Sequence, residues 1–232
     1  MRFHLPAIPH TVTDKMRYTS CAFTSKVSHL SRMLFDLGHE VYHYGCEGAK
    51  VEATEIIDIV SDDFRMSSYP DQNDHTKQYQ FDVSDAYHKA FYHEAVKEIK
   101  KRQEPHDFLL CPWGTGHQPI ADQFKDSMFV VESGIGYPNT FAPFKVFESY
   151  FWMAHIYGHI NFNGDAPWYD AVIPNQFDPD DFLYGKDRED WFLYLGRIVK
   201  RKGVEVAVQT TERIGAKLVI AGQGQICDEK EG

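Results

Sequence analysis

The stretch Thr24-Ser25-Lys26-Val27-Ser28-His29-Leu30-Ser31-Arg32-Met33-Leu34-Phe35-Asp36-Leu37-Gly38-His39-Glu40-Val41-Tyr42-His43-Tyr44 decides the fold. Val27, Leu30, Leu34 and Leu37 recur at spacings of three and four, which predicts one apolar face of a helix capped by Thr24 or Ser25. Gly38 supplies the stop, and Val41 to Tyr44 then reads as a buried strand. A helix leading through one glycine into a strand is half of a βαβ unit, and the unit recurs along the chain. Ser84 or Asp85 caps a helix carrying Tyr87, Phe91, Ala95 and Ile99 on one face, with Lys97, Lys100, Lys101 and Arg102 near the negative end of its dipole. Asp107 to Cys111 and Met128 to Val131 follow as strands, with a short helix from Ile120 to Phe124 between them. Asp170 to Asn175 reads as the last strand and its exit turn. Short apolar runs alternating with helical periods predict an α/β protein with a parallel, Rossmann-like sheet.

Beyond Asn175 the composition changes. Residues 176–190 form a polar, turn-rich connector around Asp178-Pro179-Asp180-Asp181 and Gly185 to Asp190. A second strand-helix-strand follows in Trp191 to Leu195, Val204 to Ile214 and Lys217 to Ala221. The expected organisation is therefore a domain over 1–175, a linker over 176–190 and a single βαβ unit over 191–232, an incomplete second Rossmann-like domain. The aromatic-rich segment Phe144 to Tyr157 is expected to be core.

Of 232 residues 43% are hydrophobic and 25% charged, which fits a folded chain with a sizeable core. Twenty-four basic against 34 acidic residues give a net charge of −10, a field that repels phosphate backbones, so nucleic acid is not an expected partner. Cys21, Cys46, Cys111 and Cys227 are too widely spaced for a zinc knuckle and suit reduced thiols in a cytoplasm. The amino end lacks a signal-peptide core, and no apolar run is long enough for a membrane span.

His39-Glu40-Val41-Tyr42-His43 matches the H-E-x-x-H zinc pattern, but that pattern requires a helix. On a strand four residues span about 13 Å, whereas two nitrogens on one zinc at about 2.1 Å each lie within about 4 Å of one another. His155 and His159 have no acidic companion in register, and Asp178-x-Asp180 reads as a solvated turn. No metal is expected. Gly114-x-Gly116, with His117 beside it, and Gly134-x-Gly136 each follow a strand, the place where an open parallel sheet lines its binding crevice; simple tight turns account for them as well.

The most concentrated signal is Phe192-Leu193-Tyr194-Leu195-Gly196-Arg197 followed by Lys200-Arg201-Lys202-Gly203-Val204. A strand opens into a loop with four cations, and a helix starts directly after it with its positive dipole end. In an acidic chain this arrangement predicts an anion site, and nucleotide phosphates suit it.

These residues resemble the retaining glycosyltransferases of family 4, which have the two-domain GT-B fold. Three segments match in order: Val172 to Asn175 with Phe177, Asp178 and Phe182; Tyr194 to Arg197 through Lys202 to Val204; and Lys217 to Gly222 with Gly224. Together they cover about a quarter of the chain. The resemblance implies transfer of a sugar from a nucleoside-diphosphate sugar to an acceptor hydroxyl on a glycan, lipid or small molecule, with no cofactor. It also implies that Arg197 and Lys202 hold the donor diphosphate, with the Gly196 and Gly222-x-Gly224 loops near the nucleotide. A histidine often follows the strand corresponding to Met128 to Val131; here Glu132-Ser133-Gly134 stand there, which makes His117 and Glu132 the candidate catalytic groups. The family's E-x7-E carboxylates belong farther along than Gly232. A non-catalytic truncated remnant or nucleotide-binding module, and another Rossmann-like nucleotide-sugar enzyme, remain open readings.

Overall fold

The computed structural model describes residues 1–14, 17–18, 21–70, 79–160 and 165–224. The chain divides between Phe177 and Asp178 into two compact units.

The first unit is built on a seven-stranded parallel sheet: β1 (Arg2–Pro6), β2 (Glu40–Cys46), β3 (Glu55–Val60), β4 (Phe108–Leu110), β5 (Phe129–Ile135), β6 (Phe144–Phe147) and β7 (Ala171–Val172). Their order is β3-β2-β1-β4-β5-β6-β7, so the winding reverses between β1 and β4. Helices α1 (Ala22–Asp36), α2 (Asp62–Ser68), α3 (Ala86–Arg102), α4 (Gln118–Ala121) and α5 (Tyr150–Ala154) complete it. This is the Rossmann-like α/β architecture that the alternating pattern predicts.

Period-two alternation sorts the two faces. Phe3, Leu5, Val41 and Leu110 pack with Val27 and Leu34 of α1. Their sequence neighbours Tyr42 and Leu109 point the other way, as does Val130, against Phe91, Ala95 and Ile99 of α3 and Ile120 of α4. Of the two expected caps of α3, Ser84 and Asp85, it is the Asp85 side chain that accepts from the His88 backbone N–H, and the last turn holds Lys100, Lys101 and Arg102. Helix α1 begins earlier than expected, with Cys21 as an N-cap that makes no side-chain bond. Thr24 cannot cap it, because its hydroxyl is 2.7 Å from that of Thr11 in a buried tie to the loop after β1.

The aromatic stretch is only partly core. It opens as strand β6 and continues into α5, where Tyr150 and Phe151 are 78% and 69% exposed, while Phe147, Ile156 and Tyr157 are buried. Its strand half had been masked by the run of aromatic residues, which are compatible with either period.

The second unit contains β8 (Phe192–Leu195), α6 (Val204–Arg213) and β9 (Leu218–Ala221), with β8 and β9 paired in parallel from Phe192↔Leu218 to Leu195↔Ala221. Residues 183–189 form neither helix nor strand and are exposed. Among the described residues no helix is long and apolar enough to cross a membrane. Cys21, Cys46 and Cys111 are buried free thiols, and Cys227 lies outside the described residues.

Candidate functional site

The loops at the carboxyl edge of the first unit hold several of the residues singled out from sequence. Gly114 takes a positive φ of 56°, and a Cβ on it would stand 2.9 Å from the Tyr137 ring; one on Gly116 would stand 2.3 Å from the Trp113 ring. The first glycine pair is thus needed for its own chain's aromatic packing. His117 is fully buried, and its Nε2–H donates to the Ala7 carbonyl at 3.0 Å, tying the loop after β4 to the end of β1. Burial lowers its pKa to about 4, the bond to Ala7 offsetting part of that, so the ring is neutral at pH 7.

Glu132 is buried as well. Its Oε2 accepts from the backbone N–H groups of Phe141 and Ala142 at 2.7 and 2.9 Å, and Tyr137 donates to Oε1 at 3.2 Å. Burial holds the carboxyl above the usual carboxylate range, while these three donors pull it back only in part. It organises the loop between β5 and β6. Both candidate catalytic groups are therefore bonded within the scaffold, and neither lines the groove beside α1.

A groove of about 670 Å³ does exist in this unit, and it runs beside α1. Ser133, Gly134, Gly136, Glu148 and Asn175 line one end, with Lys26 and His29 of α1. Lys26 Nζ donates to the Gly134 carbonyl at 2.5 Å and lies 3.3 Å from Glu148 Oε2, to which Asn175 Nδ2 donates at 3.1 Å. Gly134 has a φ of 71°, and a Cβ at Gly136 would fall 2.2 Å from Glu148 Oε1. The Gly134-x-Gly136 loop, as read from sequence, does border a cleft. Its glycines admit the Lys26–Glu148 pair. Lys26, Glu148 and Asn175 were missed; the available signal was a lysine on the apolar side of α1, one turn before Leu30.

The zinc-like segment lies where the strand argument puts it. His43 is in β2, buried, with Nε2 3.0 Å from the Thr13 hydroxyl, while the His39 ring packs 5.4 Å from that of Phe3. His155 and His159 stack at 5.1 Å. Asp178 accepts from the Asp180 N–H at 2.9 Å, forming the turn its sequence suggests. Among the described residues no group of three His, Cys, Asp or Glu side chains is placed to hold a metal.

In the second unit the cation loop runs from Gly196 to Gly203 and lies against the glycine loop that follows β9. A Cβ at Gly222 would lie 1.7 Å from the Gly196 carbonyl oxygen, so the loops leaving β8 and β9 touch backbone to backbone. Gly224, at φ 115°, would place a Cβ 2.7 Å from the Ile198 carbonyl, where the two loops form an isolated β-bridge. The Tyr194 hydroxyl donates to the Arg197 carbonyl at 2.8 Å and lies 3.4 Å from that of Lys202, holding both ends of the loop. Lys200 to Lys202 form a single 3-10 turn, and Gly203, at φ 75°, caps α6. Gly196, Arg197, Lys202, Gly222 and Gly224 are thereby gathered at the carboxyl ends of two adjacent parallel strands. Compared with known proteins, the chain matches no protein-family model and no curated protein.

Proposed function

We propose that the chain is a glycosyltransferase, or the corresponding part of one, that takes its sugar from a nucleoside-diphosphate donor. The observation that carries this reading is the loop from Gly196 to Gly203: four cations at the carboxyl ends of parallel strands, opening directly into the N-terminus of α6. Arg197 and Lys202 would stabilise the departing diphosphate, the charge that develops as the glycosidic bond breaks.

Titration calorimetry with a nucleoside diphosphate tests it. Arg197→Ala or Lys202→Ala each removes a charge-assisted contact and should weaken binding roughly ten- to a hundredfold, about 1.5–3 kcal/mol. Unchanged affinity in both variants refutes a phosphate role for the loop.

A second reading, binding of a nucleotide without turnover, is favoured by the bonding of His117 Nε2 to Ala7 and of the Glu132 carboxyl to Phe141 and Ala142, which commits these atoms to the scaffold. Nucleotide binding with no sugar release from any common sugar nucleotide would select it.

A further inference from the structure

We propose that the groove beside α1 binds a neutral amphiphile, its hydrocarbon chain laid along the helix and its hydroxylated head at the Ser133 end. Its role as a sugar acceptor rests on the reading above; its binding does not.

The groove has an apolar length and one polar end. Phe23, Leu30 and Met33 form its helical wall, and Leu110, Val131 and Val146 come from the strands. From Lys26 at the polar end the lining residues of α1 continue to Leu34, a rise of about 12 Å. Buried apolar area of that kind rewards a chain of methylenes.

The polar end selects the head. Ser133 is 8% exposed, lines the groove, and its hydroxyl has no hydrogen-bond partner in the protein. A buried hydroxyl normally has one, so a ligand hydroxyl that bonds it is rewarded. Beside it Lys26 and Glu148 neutralise each other, and Asn175 bonds the same carboxylate. An added anion meets Glu148, and an added cation meets Lys26. A hydroxyl avoids both penalties, because it accepts from one group while donating to another.

The test is titration of the full chain, labelled with carbon-13 in its methionine methyls, with decyl maltoside below its micelle concentration and no nucleotide present. Met33 lines the groove, whereas Met128 packs in the opposite core, so Met33 should shift saturably while Met128 stays still. Shortening the alkyl chain should weaken binding about fourfold per methylene, and maltose alone should not bind. Ser133→Ala should cost about fivefold, and Val146→Trp, which fills the groove, at least tenfold. The chain-length series needs no variant and stands even if Val146→Trp does not fold. A motionless Met33, equal binding of maltose, tighter binding of decyl phosphate, or a response only to an amphipathic Leu/Lys helical peptide would each overturn the proposal. Calorimetric nucleotide binding alongside a motionless Met33 would refute this inference alone.

Discussion

Strands β4 and β8 are both short apolar runs followed by a glycine loop and a helix, yet they meet different fates. In the first unit Leu109 and Leu110 point to opposite faces and both are buried, one against α3 and α4, the other against α1. In the second, Leu193 and Leu195 are 53% and 77% exposed, although the parallel pairing with β9 is as regular. An apolar run specifies a strand through backbone geometry and β propensity; its burial depends on what the rest of the unit lays over each face. The first unit draws its stability from covered faces, while the loop glycines of the second fix a local geometry.

Acid should separate the two units most strongly. Burial lowers the pKa of His10 to about 3 and those of His43 and His117 to about 4, and nearby His88 and Arg65 add to the effect at His10. The unfolded chain protonates these rings below about pH 6.5. The folded chain does not, so stability is full above that value and is lost as pH falls toward 4. Three such protons set a ceiling of about 4 kcal/mol per pH unit. Residues 178–224 contain no histidine. Urea unfolding followed by NMR should show β2 amides losing stability from pH 6.5 to 4 without a parallel loss in β8; a common slope would break the distinction.

Equivalent truncations should differ next. Phe91→Ala empties a fully buried site in α3 and should cost about 3–5 kcal/mol, whereas Leu195→Ala should stay within about 0.5 kcal/mol. Denaturant midpoints measure both. Equal costs would mean that β8 is covered in solution.

The smallest effect sharpens the account of Glu132. Glu132→Ala leaves the Phe141 and Ala142 N–H groups without their acceptor and should cost about 1–3 kcal/mol. Because its carboxyl is held above its usual range, the folded state keeps a proton that the unfolded chain has released, and that contribution to stability is lost as pH rises through the raised pKa. Subtracting the Glu132→Gln pH profile from the parent's should isolate this decline, and a flat difference would remove it.

The sequence by itself determined what is encoded within a few turns of chain. It specified the alternation of strands and helices, a cap for α3 at Ser84 or Asp85, the strand that carries His43, and the glycine-bounded cation loop before α6. Dihedral preferences, caps and apolar periods act over four or five residues, so each is legible there. Strand β3 went unread because Glu55 and Asp58 break the apolar run, and packing of Ile57 and Ile59 with α3 overrides that weak pattern. Only the tertiary structure decided the use of His117, Glu132 and Lys26. His117 looks like a catalytic imidazole until the carbonyl of Ala7, 110 residues away, accepts a hydrogen bond from its Nε2–H, and Lys26 looks like an ordinary helical cation until Gly134, 108 residues away, meets it. A titratable side chain is defined by the groups that surround it after the chain has closed, and no local period carries that information.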